Sequence, residues 1–196
     1  MHRHTIPIFP LHSVLFPGGP LALRIFEARY LDMVSRCLRE ESGFGVALIR
    51  EGHEVGQAAE VYEVGTLGRI SYWEQRKDGL LGITLKGERR FRILDSEVAE
   101  NQLLVAEVEL LPNPPAVPLP EKYQHLAGLL GRMLTELDQP YSSLVRELDN
   151  AEWVGARLAE LLPLELVQKQ RLLLEEDPLR RLERLEDHLA GQLGLR

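Results

Sequence analysis

The chain of 196 residues carries a formal net charge of −7, with 44% hydrophobic and 27% charged residues. This composition excludes intrinsic disorder and indicates a globular protein with a substantial core, and the acidic balance argues against nucleic acid as a partner. Because no stretch reaches the roughly 20 apolar residues of a membrane helix and the one cysteine, Cys37, can form no disulfide within the chain, we expect a cytoplasmic protein without a membrane span.

The N-terminal region begins with β-type runs and then changes period. Residues 5–25 alternate short β-type runs with prolines and with a Gly-Gly-Pro turn at 18–20, which predicts two strands joined by a constrained loop. Proline is tolerated at sheet edges and bulges, so these strands are expected there. Over residues 27–39, apolar residues recur at helical spacing, which predicts an amphipathic helix that contains Cys37.

Five further runs of β character follow, and glycine-containing turns at Gly52, Gly79 and Gly87 separate several of them. In the last run apolar and acidic residues alternate, as in a strand with one buried and one solvated face. Together the runs predict one antiparallel sheet or a barrel. They span residues 46–49, 61–73, 80–86, 90–94 and 104–110.

Proline density marks the boundary between two kinds of structure. Residues 112–120 contain too many prolines for a helix or a central strand, and they predict an extended connector. We therefore expect a β-rich lobe over residues 1–113, a proline-rich connector over 114–120 and a helical lobe over 121–196.

The pattern after the connector is helical. Apolar residues at helical spacing predict one helix over 123–137, and Asp149 with Glu152 has the spacing of a capping box that begins a second. A third helix is expected over 166–174. Asp177 followed by a proline is typical of a helix N-terminus, and the last helix carries a leucine stripe that we assign to the core. The stripe consists of Leu179, Leu182, Leu185 and Leu189.

Several motifs resemble one protein family. The segments FPLHSVLFPG at 9–18 and PLALRIFEARY at 20–30 resemble the opening of the substrate-binding N-terminal domain of Lon protease. The segments VGTLGRI at 64–70 and GLLGITLKGERRFRI at 79–93 are similar to the same family, in the expected order, and a weaker match follows over 161–182. We assign the motif residues a structural role: Pro17, Arg24, Phe26, Glu27, Arg29, Tyr30, Gly65, Gly87, Arg90 and Phe91.

The resemblance, which covers about residues 6–189, implies both a fold and a role. The implied fold is α+β, with a PUA-like β-barrel or antiparallel-sheet lobe that contains one early helix, followed by an all-helical lobe. The implied role is the binding of unfolded or extended polypeptide segments, as an accessory factor in protein quality control that works with a protease or a chaperone.

The sequence departs from full-length Lon by lacking the motifs of catalysis. It contains no G-x-x-x-x-G-K-[ST] phosphate loop, no G-x-S-x-G elbow and no H-E-x-x-H helix. We therefore expect a free-standing, non-catalytic binding module without a cofactor. The alternative that stays open is RNA binding, because PUA domains often hold RNA; a continuous positive stripe of Arg69, Arg89, Arg90 and Arg92 would favour it.

Four charged motif residues allow two interpretations. Arg24, Glu27, Arg29 and Arg90 could form a clamp for an anion, since guanidinium groups pair with carboxylates in a bidentate way. They could instead form an ion-pair network that ties the first helix to the sheet, because buried charges require paired partners. We prefer the network; a clamp should leave one arginine exposed and unpaired.

Aromatic residues are the candidates for contact with a peptide. Tyr72 and Trp73 end an alternating run, so one ring is expected to face the core and the other the solvent, where it can grip a peptide. Phe16 is the third candidate contact. The alternative places Trp73 under the loop at 74–78 and assigns Phe16, Phe26 and Trp153 to the core.

Histidines are the only candidates for a metal site. His2 and His4 stand two apart, and His12 and His53 are the other possible ligands. No further cysteine, fixed carboxylate or helical i, i+4 spacing accompanies them. We therefore expect no metal.

Overall fold

The computed structural model of the chain describes residues 3–192. Its contacts divide the chain into two compact units, Met1–Pro112 and Asn113–Arg196. Over residues 3–192, the seven strands and one long helix belong to the first unit, and the second unit contains helices and one isolated β-bridge between Pro118 and Asn150. Among the described residues, no helix combines the length and the apolar character that crossing a bilayer requires.

The first unit is a seven-stranded sheet with one helix. The sheet order is β1-β7-β6-β5-β3-β4, and a parallel pairing of β1 with β3 joins the two sides into a five-stranded barrel. Among the described residues, β2 pairs with β6 alone and β4 with β3 alone. The elements are β1 (Arg3–Leu11), β2 (Pro20–Ile25), α1 (Ala28–Arg39), β3 (Phe44–Glu51), β4 (Glu60–Val61), β5 (Val64–Gln75), β6 (Leu81–Val98) and β7 (Leu104–Leu110).

Phe91 fills the interior of the barrel. It belongs to an apolar cluster to which all five barrel strands contribute, including Ile8 of β1 and Ala47 of β3. A Cβ atom at Gly45 would lie 2.7 Å from the Phe91 ring, and one at Gly65 would lie 2.6 Å from it and would overlap the carbonyl oxygen of Val46. Glycine at these two positions therefore makes the room that the ring occupies.

A second apolar cluster lies between the outside of the barrel and α1. It includes Phe9 of β1, Met33 and Val34 of α1 and Ile83 of β6. Successive side chains of a strand point to opposite faces, so β1 supplies Ile8 to the barrel interior and Phe9 to the α1 side. This explains why the N-terminal run is apolar almost without interruption.

Gly87 lies where β6 changes its partner strand. Residues 81–86 of β6 pair with β2, and residues 91–98 pair with β7. Between them the N–H of Gly18 donates to the Gly87 carbonyl and the N–H of Gly87 donates to the Gly19 carbonyl, both over 2.8 Å. The prediction of two strands separated by a turn at Gly87 is therefore wrong. The glycine serves a close approach, because a Cβ there would overlap the carbonyl of Phe16.

The second unit packs its helices around α3. This helix buries Trp153, Val154 and Leu158 and contacts the other three helices, while Leu182 and Leu185 of the leucine stripe are fully buried. The helices are α2 (Gln124–Thr135), α3 (Ala151–Leu161), α4 (Leu166–Leu174) and α5 (Pro178–Gln192), with short 3-10 turns at Glu121–Tyr123 and Tyr141–Ser143.

Of the two predicted helix N-caps, that of α5 agrees with the structure and that of α3 does not. Asp177 caps α5 as predicted, since its side chain accepts the N–H of Leu179 over 2.9 Å. The cap of α3 is Asn150, whose side chain accepts the N–H of Glu152. The prediction of Asp149 is therefore wrong by one residue, because both residue types are good caps and only the backbone decides between them.

Two arginines are buried in the helical unit, and Arg181 connects α5 to α3 and α4. Arg157 pairs with Glu160 over 2.8 Å, with both side chains buried. Arg181 pairs with Glu152 over 3.4 Å and donates to the carbonyls of Leu172 and Glu175 at the end of α4. Burial raises the pKa of Glu152 above the ordinary value of a glutamate, although the positive charge of Arg181 opposes that shift.

Two glycine-to-alanine changes, one in the barrel interior and one on an exposed helix, are expected to have opposite effects on stability. Gly65→Ala is expected to destabilise the protein by about 1–3 kcal/mol, because the new methyl group overpacks the site against Phe91. Gly128→Ala is the matched control, because Gly128 is exposed in α2 with no atom closer to an added Cβ than 3.7 Å. It should stabilise by roughly 0.5–1 kcal/mol. Urea unfolding followed by circular dichroism measures both, and unchanged stability of Gly65→Ala would contradict the packing.

Candidate functional site

A surface pocket of about 270 Å³ lies beside β2 in the first unit. Small-molecule sites usually occupy roughly 300–1,000 Å³, so this pocket has the size for side chains of a larger partner. Six consecutive residues, 22–27, form one wall, which is the end of β2 and its continuation toward α1. Phe9, Leu11, Tyr30, Glu54 and Val55 complete the lining.

The floor of this β2 pocket is apolar and its rim exposes further apolar area. The rings of Phe9 and Tyr30 are buried in the floor with centroids 4.0 Å apart. Phe26 is 56% exposed and Val55 is 52% exposed at the rim. The assignment of Phe26 to the core is therefore wrong. Ile25 takes the inward position at the end of β2, and the alternation of the strand turns Phe26 outward.

Buried charges hold the wall in place behind the pocket. Arg29 pairs with Glu27 over 3.0 Å, donates to the Gln102 carbonyl over 2.7 Å and lies 4.6 Å from the centre of the Tyr30 ring. Through its hydrogen bond to Gln102, the buried Arg29 links the start of α1 to the turn before β7. Of the four residues of the predicted ion-pair network, Glu27 and Arg29 form an ion pair with each other.

The two other arginines of the predicted network lie apart from that pair. Arg90 is buried and donates to the carbonyl of Pro112 over 2.7 Å. Arg24 is exposed on β2, at the wall of the pocket. Within residues 3–192 its guanidinium group makes no ion pair or hydrogen bond. It is the exposed, unpaired arginine that a clamp requires.

The acidic and phenolic groups of the pocket are engaged. Glu27 accepts the N–H of Gly56 over 3.4 Å in addition to its pair with Arg29, and Glu54 accepts the backbone N–H of His12 over 2.7 Å. Burial raises the pKa of Tyr30 above its ordinary value, against the opposing charge of Arg29, so the phenol stays protonated. The lining is suited to holding apolar side chains.

Of the three predicted peptide contacts, the structure buries one and exposes two. Phe16 is fully buried, so its assignment as a peptide contact is wrong: its side chain packs inside while its carbonyl lies against Gly87. Tyr72 and Trp73 are 57% and 58% exposed. The expectation that one ring faces the core is wrong: the two side chains still alternate between faces, but all residues from 71 to 75 are exposed, so neither face is covered at this end of β5. Neither aromatic residue lines the β2 pocket.

Glu54 and Val55 are pocket residues that the sequence analysis did not identify. They belong to the loop between β3 and β4, and no local pattern distinguishes them from other loop residues. Their position follows only from the way the barrel brings this loop to the end of β2.

A second depression, of about 280 Å³, lies along α1. Its lining is mostly polar and includes Asp32, Arg36, Arg39 and Asn101. It lacks the exposed apolar rim that distinguishes the β2 pocket, so the β2 pocket is the better candidate for binding a polypeptide.

The charge pattern that would favour RNA is interrupted. Arg69 pairs with Glu88 over 2.8 Å, and Arg90 is buried. The four arginines of the proposed stripe therefore do not form a continuous positive surface. As for metals, the part of the chain that the structure describes contains no group of three side chains placed to hold an ion; His2 lies outside that part.

Comparison with known proteins gives a consistent result. A family model described as the ATP-dependent protease La (LON) substrate-binding domain matches residues 5–191. The fold is similar to that of the Lon N-terminal domain protein from Xanthomonas campestris, with 43% identity, a TM-score of 0.77, and coverage of 94% of this chain and 98% of that one. The N-terminal domain of Mycobacterium avium complex Lon protease shares the fold at 19% identity, with a TM-score of 0.64 and coverage of 94% and 97%.

A full-length relative matches over a small part of its own length. Lon protease of Anaeromyxobacter dehalogenans is 26% identical over 177 residues, which are 86% of this chain and 21% of that protein. The chain spans about a fifth of the length of the curated Lon proteases that it matches. The predicted α+β fold is confirmed by these structural similarities.

The contrast between two arginines gives a stability test. Arg29→Ala is expected to destabilise the protein by roughly 2–3 kcal/mol, because it leaves Glu27 and the Gln102 carbonyl without their buried partner. Arg24→Ala should change stability by less than about 0.5 kcal/mol, since the side chain is exposed and unpaired. Denaturant unfolding compares the two variants, and equal losses of stability would contradict the assigned contacts.

Proposed function

Because the chain belongs to the family of LON substrate-binding domains, we propose that it binds extended or unfolded polypeptide segments and does not itself catalyse a reaction. The observation that carries this proposal is the β2 pocket. It combines a buried aromatic floor with the exposed side chains of Phe26 and Val55. Such apolar area exposed beside a concave surface is characteristic of binding sites.

The pocket favours apolar side chains of a polypeptide over a cofactor. Its volume is small, its ionisable groups other than Arg24 have partners, and its floor consists of rings. A side chain that enters would be desolvated against Phe9 and Tyr30. The hydrophobic effect would supply the affinity, at roughly 25 cal/mol per Å² of buried apolar area.

We assign Tyr72 and Trp73 to a separate contact area on the same unit. Both rings are largely exposed at the end of β5. Aromatic residues provide large contact area at low cost in conformational entropy, so a long unfolded chain that occupies the β2 pocket can also contact these rings.

In the cell, the proposed role is that of an accessory factor in protein quality control. The similarity to the substrate-binding part of Lon proteases supports a partnership with a protease or a chaperone. A single, buried cysteine supports a cytoplasmic location. Isolation of cross-linked partners from cells would identify the protease or chaperone.

Affinity for unfolded segments should depend on Phe26. Fluorescence anisotropy of labelled apolar peptides measures the binding, and Phe26→Ala is expected to weaken it about 5- to 30-fold, the loss of about 1–2 kcal/mol that central aromatic contacts typically contribute. Leu94→Ala is the matched control, since Leu94 is 44% exposed on β6 and does not line the pocket. Absence of binding at high micromolar concentration across a peptide library would overturn the proposed function.

The separate aromatic area gives an independent prediction. Trp73→Ala should weaken binding of a long unfolded chain by a smaller factor than Phe26→Ala, and it should leave binding of a short peptide that fits the pocket unchanged. The reason is that only a long chain reaches both areas. If long and short ligands lose affinity equally, Trp73 is not a separate contact.

A further inference from the structure

The strand that forms the wall of the β2 pocket has an open edge. In the sheet, β2 pairs with β6 over Pro20 to Ile25, and no other described strand pairs with it. One side of β2 therefore carries backbone N–H and C=O groups without a ladder. An unpaired edge of this kind is a template for another strand.

The hydrogen bonds of Gly87 determine which residues of β2 direct their backbone groups to that edge. The N–H of Gly87 donates to the carbonyl of Gly19, and the carbonyl of Gly87 accepts the N–H of Gly18, so both backbone groups of Gly87 point to the chain that continues as β2. Bonded and non-bonded pairs alternate along an antiparallel ladder, and the register of β2 with β6 shows no shift. Leu21, Leu23 and Ile25 therefore bond to β6, while Ala22 and Arg24 direct their backbone groups outward.

The hairpin between β5 and β6 independently gives the same alternation of bonded and non-bonded pairs. The N–H of Arg76 donates to the carbonyl of Leu80 over 2.9 Å, so two rows further along the hairpin Gly82 forms a bonded pair with Glu74 of β5. The backbone groups of Gly82 thus point to β5 and away from Arg24, its partner on β2. Among the described residues, no second strand pairs with Ala22 or Arg24, and no backbone hydrogen bond outside the strand ladders reaches them.

We propose that the polypeptide segment binds by adding as a strand to the open edge of β2. This inference rests on the proposed function and specifies its mode: main-chain hydrogen bonds to Ala22 and Arg24 supply register. The pocket lies along this wall, because residues 22–27 line it consecutively. Every second side chain of the added strand then enters the pocket beside Leu23 and Ile25.

The charge at the wall defines the class of ligand. The side chain that lies opposite Arg24 on the added strand shares its exposed face. The Arg24 guanidinium has no partner among the described residues, whereas Glu27 is paired with Arg29 and Glu54 with the N–H of His12. An acidic residue of the ligand completes this arrangement. The preferred segment therefore carries an acidic residue opposite Arg24 and apolar residues on the face of Leu23 and Ile25.

Backbone methylation of the ligand tests strand addition directly. The probes are a labelled peptide with alternating Val and Glu and two isomers of it, one N-methylated at every Glu and one at every Val. In antiparallel addition the amides of the Glu residues point to β2, so methylation at Glu should abolish binding and methylation at Val should leave it nearly unchanged. The reverse asymmetry would support parallel addition to the same edge.

The outcomes separate this inference from the proposed function. Equal loss in both isomers, or no loss in either, would overturn strand addition while binding of the parent peptide upholds the proposed function. If the parent peptide and the wider library all fail to bind, the proposed function itself fails. A concentration-dependent dimer that Arg24→Glu dissociates, with no peptide bound, would assign the edge to a second copy of the chain and overturn the inference.

A charge reversal tests the role of Arg24. Arg24→Glu should weaken binding of the Val-Glu peptide about tenfold or more and strengthen binding of a Val-Lys peptide, because like charges would then face each other. Arg89→Glu is the matched control, since Arg89 is exposed on β6, does not line the pocket and gives the same change in net charge. Equal effects of both variants would mean that only the overall charge matters and would overturn the assignment.

Discussion

The architecture of the first unit depends on the close approach of the Phe16 carbonyl to Gly87. Because glycine has no Cβ, the loop that follows β1 can pass against β6 at this point. On the same side of β6, β2 pairs before the crossing and β7 pairs after it. Only the second part joins the closed barrel. The part of β6 before Gly87 pairs with β2 outside the barrel. The close approach at Gly87 therefore both completes the barrel and leaves the edge of β2 open beside an apolar pocket.

Buried arginines complete the structure in both units by binding backbone carbonyls that regular pairing leaves free. Arg29 donates to Gln102 and Arg90 to Pro112, while Arg181 donates to the carbonyls of Leu172 and Glu175 at the end of α4. The last carbonyls of a helix lack partners within it, and a guanidinium group can reach several at once. The charge is thereby stabilised inside the protein, and segments far apart in the chain are held in register.

Sequence patterns predicted the elements well wherever the signal was local. The change from β to helical period, the capping of α5 by Asp177 and the helix with Cys37 all follow from neighbouring residues. Gly87 was misinterpreted because a glycine between two β runs signals a turn as well as a close approach. The exposure of both Tyr72 and Trp73 and the contact of Arg29 with Gln102 depend on residues distant in the chain. For the same reason Glu54 and Val55 could not be assigned to the pocket before the fold was known.

The open edge of β2 also has a consequence for the behaviour of the protein at high concentration. Residues 21–26 read LALRIF, in which Arg24 is the only charge. Short apolar segments with an unpaired edge are prone to aggregation, and a single charge or proline often acts as a gatekeeper. Pro20 and Arg24 flank and interrupt this segment. An apolar residue at position 24 would raise affinity for apolar ligands, but it would also lower the solubility of the protein. Ligand recognition and solubility therefore depend on the same side chain.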